Sequence, residues 1–161
     1  FLDDIFRQNY AISMWIYLNN TVNNGGKEMN IYKFADGIPR ITYFPNKTSI
    51  LENGVSTNEQ VLRIYFNNNS SDIDPYYDLI IPFQKWIYIV INYSSSQADL
   101  FINGNLERTF KFNQNVPNIP SSDSCTSTIG ADNGLNGAIS NIQYHSGPLS
   151  KYEITNSYNQ L

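Results

Sequence analysis

The chain has 161 residues, with 10 Lys+Arg against 14 Asp+Glu, a net charge of −4 and a single His. That length fits one domain with a sizeable core, and an acidic chain without a Lys/Arg run argues against nucleic acid as a partner, because phosphate contacts need clustered positive charge. No stretch approaches the ~20 apolar residues of a membrane span, so membrane insertion is not expected.

Only 15% of residues are charged, against a usual ~25%. Polarity comes instead from 23 Asn, while 12 Tyr, 9 Phe and 2 Trp supply an aromatic load that disordered chains lack. The lone Cys125 allows no internal disulfide. With His145 as the sole imidazole, a zinc site of the His/Cys type is not expected, and any catalytic triad would have to run through that residue.

In chain order, the dominant signal is period-two alternation broken by turn residues, the pattern of strands. Tyr10 to Leu18 sets Tyr10, Ile12, Met14, Ile16 and Leu18 on one face and Ser13, Trp15 and Tyr17 on the other. Shorter strands are predicted at Met29 to Phe34 and Arg40 to Phe44. Gln60 to Phe66 alternates Leu62, Ile64 and Phe66 against Val61, Arg63 and Tyr65, and Asn67 to Asp72 reads as a polar loop. Trp86 to Tyr93 is the clearest strand, with Ile87, Ile89, Ile91 and Tyr93 opposite Tyr88, Val90 and Asn92. Asp99 to Ile102 and Leu106 to Phe112 flank Asn103-Gly104, a type I′ hairpin signal. Thr126 to Ile129 and Gly137 to Tyr144 are further strands.

The chain then changes period. Leu149-Ser150-Lys151-Tyr152-Glu153-Ile154 is a helix start, with Ser150 at the N-cap and Glu153 at N3 forming a capping box, and Leu149 and Ile154 placed as a hydrophobic staple. The helix is predicted to end near Tyr158 or Asn159. Many short strands, Asn/Gly turns and one short helix describe an antiparallel two-sheet sandwich or barrel, in one domain over residues 1–161.

At this point the residues match a family pattern. Tyr10-Ala11-Ile12-Ser13-Met14-Trp15-Ile16 resembles the opening strand of laminin-G-like domains, and Trp86-Ile87-Tyr88-Ile89-Val90-Ile91-Asn92-Tyr93 resembles a later one. Leu100-Phe101-Ile102-Asn103-Gly104 resembles the hairpin that follows. Gly137-Ala138-Ile139 through Tyr144, with Pro148-Leu149-Ser150, resembles the closing strand and helix. The resemblance implies an all-β concanavalin-A-like jelly roll. It also implies a further strand before the first one seen here, so the chain is expected to be an excised piece of something longer.

Within that superfamily, the Asn/Ile/Tyr-rich style is most like domains encoded by large nucleocytoplasmic DNA viruses. A clostridial toxin binding domain shares the fold and the bias, although its closing segment fits less well. An AT-rich genome alone gives such a composition, so the Asn excess is read as genome bias displayed on loops and turns. The resemblance implies a non-enzymatic structural or adhesion module of a virion, whose partners are capsid or other structural proteins, or glycans. The alternative is an extracellular carbohydrate-binding module of a secreted toxin or enzyme.

Enzymes of this fold class use two flanking carboxylates. None of Glu28, Glu52, Glu59, Glu107 or Glu153 lies in a Glu-x-Asp-x-Glu strand, so a glycosidase is not expected. A glycan or partner site is expected from Trp15, Tyr17, Tyr88 and Asn92, which form an aromatic and amide platform if their strands share a sheet. The competing reading is that a loop or another subunit covers this face, or that Trp15 packs into a secondary core. No cofactor is expected beyond a weak calcium candidate at Asp132 and Asn133. A second such candidate is Asp72 with Asp74, and an ordinary Asx turn is favoured over both.

Overall fold

The computed structural model describes residues 9–19, 27–34, 38–50, 56–66, 76–82, 84–94, 96–112, 126–130 and 136–160 (backbone only at 45–50 and 56–59). Its strands are β1 Tyr10–Leu18, β2 Met29–Phe34, β3 Arg40–Ile50, β4 Ser56–Tyr65, β5 Tyr76–Ile80, β6 Trp86–Ser94, β7 Gln97–Ile102, β8 Asn105–Lys111, β9 Ser127–Ile129 and β10 Gly137–His145. One helix, α1, runs over Lys151–Asn159. The described strands form two five-stranded sheets, and the strand pairings with a defined register are all antiparallel. The chain forms two compact units, each organised on one sheet.

The first unit carries the order β10-β1-β6-β7-β8 with α1. The β1–β6 register places Tyr10 opposite Tyr93, Ile12 opposite Ile91, Met14 opposite Ile89 and Ile16 opposite Ile87. These eight residues share one face and are buried. Because side chains alternate, the opposite face pairs Ala11 with Asn92, Ser13 with Val90 and Trp15 with Tyr88. The Asn103-Gly104 turn sits between β7 and β8, with both residues at positive φ (50° and 80°), as a type I′ turn requires. Asn103 also ties this turn to β6: its backbone N–H donates to the Tyr88 carbonyl (2.9 Å), and its Oδ1 accepts from the Tyr88 N–H (2.9 Å).

The helix starts as its sequence dictates. Ser150 Oγ accepts from the Glu153 N–H (3.3 Å), and Glu153 Oε2 accepts from the Ser150 N–H (2.7 Å), so two otherwise free N–H groups are satisfied. Lys151 Nζ donates to the Gly104 carbonyl and so links the helix start to the hairpin tip. A Cβ at Gly104 would lie 3.6 Å from Tyr158 Cδ1, and its φ of +80° already disfavours other residues.

The second unit carries the order β5-β4-β3-β2-β9. Ile41 lies opposite Ile64 and Tyr43 opposite Leu62, and all four are buried. The strands β3 and β4 run further than the sequence pattern suggests, and β5, which that pattern does not predict, closes one edge against β4. The run Tyr-Tyr-Asp-Leu-Ile is too short to show an alternation of its own, and its strand state is supplied by pairing.

Candidate binding surfaces

The predicted platform residues do come together. Trp15 and Tyr88 stack at 4.8 Å between ring centroids, directly across the β1–β6 pair. They are not open, however. Helix α1 lies over this face, and Ile154, Leu149 and Tyr158 pack on Trp15, Tyr88, Val90 and Phe101. Tyr158 stacks on Trp15 at 5.8 Å and on Tyr88 at 6.4 Å. Trp15 is 4% exposed and Tyr88 2%. Ile154 and Tyr158 reach the same face because they are four residues apart on a helix.

Asn92 is likewise occupied by the chain itself. Its Nδ2 donates to the Leu149 carbonyl (2.8 Å) and its Oδ1 accepts from the Leu149 N–H (3.0 Å). Both ends of the amide therefore hold the segment that enters α1. Of the four predicted residues, Tyr17 alone stays half-exposed, tilted against Trp86 at 5.4 Å, with Trp86 40% exposed.

His145 is the last residue of β10, one beyond the strand predicted over Gly137 to Tyr144, and its Nε2 lies 2.9 Å from Ser13 Oγ. Ser13 is 1% exposed on β1, so this Ser–His pair fastens β10 to β1 with its hydroxyl turned away from solvent. Burial pulls the His145 imidazole below its ordinary value, and the Glu153 carboxylate partly opposes this. In an NMR titration the His145 resonance is therefore expected to move at a pH below that of a free histidine. Glu153→Gln should lower it further, because the opposing charge is removed. A midpoint at or above the free value would contradict this packing. The sign for stability follows by linkage: the folded state takes up the proton less readily, so the contribution is present above the unfolded value and is lost as pH falls through the folded one.

In the second unit one face is exposed at its β5 edge, through Tyr76 and Ile80, while Thr42 and Val61 on the same face are buried. The registers of β3, β4 and β5 align three rows on this face: Arg40-Tyr65-Tyr76, Thr42-Arg63-Asp78 and Phe44-Val61-Ile80. Arg63 makes a bidentate pair with Asp78, Nε to Oδ1 at 2.6 Å and Nη2 to Oδ2 at 2.8 Å, with the two side chains 17% and 20% exposed. The Asp78 hydrogen bond raises the Arg63 pKa above its already high ordinary value. The same guanidinium lies 4.0 Å from the Tyr76 ring centroid and 4.6 Å from that of Phe44, while Arg40 lies 3.7 Å from Tyr65. Tyr65 donates its hydroxyl to Glu28 Oε1 (3.1 Å), and burial pushes that phenol above its ordinary value. Tyr76 is 42% exposed and Ile80 61%. The sequence signal for this face was the Val61, Arg63 and Tyr65 side of Gln60 to Phe66. It lacked the registers that add Arg40, Tyr76 and Asp78.

The calcium candidates Asp132 and Asn133, and Asp72 with Asp74, lie outside the described residues, as does Cys125. Among the described residues no group of three or more His, Cys, Asp or Glu is placed to hold a metal ion, and no helix is long and apolar enough to cross a membrane.

An all-β chain of two antiparallel sheets with one short closing helix is the architecture of a concanavalin-A-like jelly roll. The family described as "Concanavalin A-like lectin/glucanases superfamily", of the laminin-G type, matches residues 3–155, and the chain belongs to it. No curated protein sequence matches the chain. Among solved structures, the binding domain of botulinum neurotoxin DC in complex with rat synaptotagmin II is similar, with TM-score 0.69 and 18% identity over 98% of this chain and 37% of that one. The same toxin domain in complex with SialylT gives TM-score 0.68 and 15% identity over 96% and 36%. Domain 4 of the extracellular arabinanase AbnA from Geobacillus stearothermophilus, in complex with arabinotriose, gives TM-score 0.54 and 18% identity over 92% and 66%. The chain thus spans little more than a third of the toxin chains it matches.

Proposed function

We propose that this chain is a non-enzymatic recognition module that binds glycans at the exposed β5 edge of its second sheet. The observation that carries the reading is the Arg63–Asp78 pair set beside the rings of Tyr76, Tyr65 and Phe44. Sugars offer an apolar ring face and a fringe of hydroxyls. This surface supplies aromatic faces for the first and fixed, planar polar groups for the second. The similarity to a toxin binding domain and to an arabinanase domain, seen with SialylT and arabinotriose respectively, supports a binding rather than a catalytic reading. A virion protein and a secreted toxin or enzyme would use such a module in the same way, to attach a larger body to a surface.

The test is a glycan array probed with the wild type, Tyr76→Ala and Trp86→Ala. Tyr76→Ala is expected to weaken binding by roughly twofold to tenfold, from an aromatic contact of about 0.5–1.5 kcal/mol. Trp86→Ala should leave binding unchanged. Loss on Trp86→Ala alone would move the site to the Tyr17–Trp86 pair of the first unit, and a wild type that binds no glycan would end the glycan reading.

A further inference from the structure

We infer that β5 accepts an extended, basic peptide of another protein as an added antiparallel strand. The inference uses the backbone along the outer edge of β5 and does not depend on the glycan reading, which uses side chains. In the second sheet β5 is an end strand, and among the described residues no strand pairs with its other side. The phase of the β4–β5 ladder is fixed at its end, where the Ile81 N–H donates to the Gln60 carbonyl (3.1 Å). Hydrogen-bonded pairs then recur at every second residue, Leu79 with Leu62 and Tyr77 with Ile64. Tyr76 and Ile80 fall in the pairs between, so their N–H and C=O groups point away from β4. Their side chains are exposed as well.

The other three sheet ends carry devices that oppose strand addition. β8 presents Glu107, Arg108 and Lys111 with a register shift against β7, β9 is only three residues long, and Asn141 at φ 50° sits in the middle of β10. β5 has no Lys, Arg, Pro or Gly, and the charge of its Asp78 is taken up by Arg63. Charge then selects the occupant. From residue 64 to residue 84 the sequence holds Asp72, Asp74 and Asp78 and no Lys or Arg, in a chain of net charge −4. A second copy pairing its β5 with this one would bring two such acidic stretches together, whereas a basic strand is attracted. Tyr76 and Ile80 supply the backbone hydrogen bonds, and the peptide sets apolar residues beside their side chains with a polar residue opposite Asp78.

The probe is the end-blocked peptide Lys-Ile-Thr-Thr-Thr-Ile-Lys, titrated by calorimetry into the wild type, Ile80→Pro and Ile80→Ala. Three relatives of the peptide carry Glu for both Lys, N-methyl groups on both Ile, or N-methyl groups on the two Thr that adjoin the Ile residues. In antiparallel addition both Ile turn their N–H groups to β5, and those two Thr turn theirs away. The expected result is that the basic peptide binds and the Glu peptide binds roughly tenfold more weakly or worse. Methylation of the Ile residues should abolish binding, and methylation of the Thr residues should leave it. Ile80→Pro should fold, because the Ile80 N–H is not part of the β4 ladder, and should lose the peptide. Ile80→Ala keeps that N–H and should keep most of the affinity. No binding of the basic peptide, equal binding of the Glu peptide, equal effects of the two methylation patterns, or a folded Ile80→Pro that still binds would each overturn the inference. A dimer in ultracentrifugation that Ile80→Pro dissolves would make a second copy the occupant and overturn it too. Should Ile80→Pro fail to fold, the two methylation patterns on the wild type decide alone.

Discussion

Trp15→Ala is expected to lower the unfolding free energy by about 3–5 kcal/mol, the range for removing a buried indole or phenyl ring. The residue is almost wholly buried, and its ring touches both layers of the helix–sheet contact: Tyr88 beside it on β6 and Tyr158 above it on α1. Truncation leaves a cavity bordered by two flat rings that cannot collapse into it without undocking the helix. The midpoint temperature should fall by about 10 °C for a chain of this size. The control is Trp86→Ala, whose ring is far more exposed and should cost under about 1 kcal/mol. Urea unfolding of both variants decides the matter. A Trp15→Ala protein as stable as the wild type would mean that α1 does not hold this ring, and would return Trp15 to the surface as a ligand platform.

That ring also shows how far the sequence could be read. Period-two alternation sorted Trp15, Tyr88 and Asn92 onto one face correctly, and the register put Trp15 and Tyr88 in contact. Alternation separates two faces but does not say what lies over either. Both faces of β1 and β6 carry large apolar or aromatic side chains, so composition could not distinguish an open platform from a covered one. The information was present elsewhere, in the helix start. Leu149, Ile154 and Tyr158 make an apolar stripe that has to be buried against something, and Asn92 lies where it can grip the incoming backbone. Local signals such as the capping box and the Asn103-Gly104 turn were legible because they are decided within a few residues. The exposed β5 edge of the second sheet was not, because it depends on pairing. Arg63 meets Asp78 only through the β4–β5 register, and β5 carries no alternation of its own.

The same pair gives the second large effect. Asp78→Ala is expected to cost about 2–3 kcal/mol, between the near-zero value of a surface ion pair and the 3–5 kcal/mol of a fully buried one. The two side chains are mostly shielded from water, and removing the carboxylate strands a guanidinium that cannot shed its proton. Arg63 would still lie over Tyr76 and Phe44, so the loss should stop short of the buried-pair limit. Replacing both partners by apolar residues, Arg63→Met with Asp78→Leu, should cost clearly less than the sum of the single changes, because neither charge is then left unpaired. Arg63→Lys should not rescue, since an ammonium cannot make two parallel bonds and stack on a ring at once. A double-mutant cycle from urea unfolding reads the coupling directly, and single effects that add to within about 0.5 kcal/mol would show the pair to be energetically idle. A coupled pair also has a consequence for recognition. Arg63 fixes the ring of Tyr76, so Asp78→Ala should weaken glycan binding even though the aromatic contact itself remains, and the weakening should track the loss of coupling across the Arg63 and Asp78 variants.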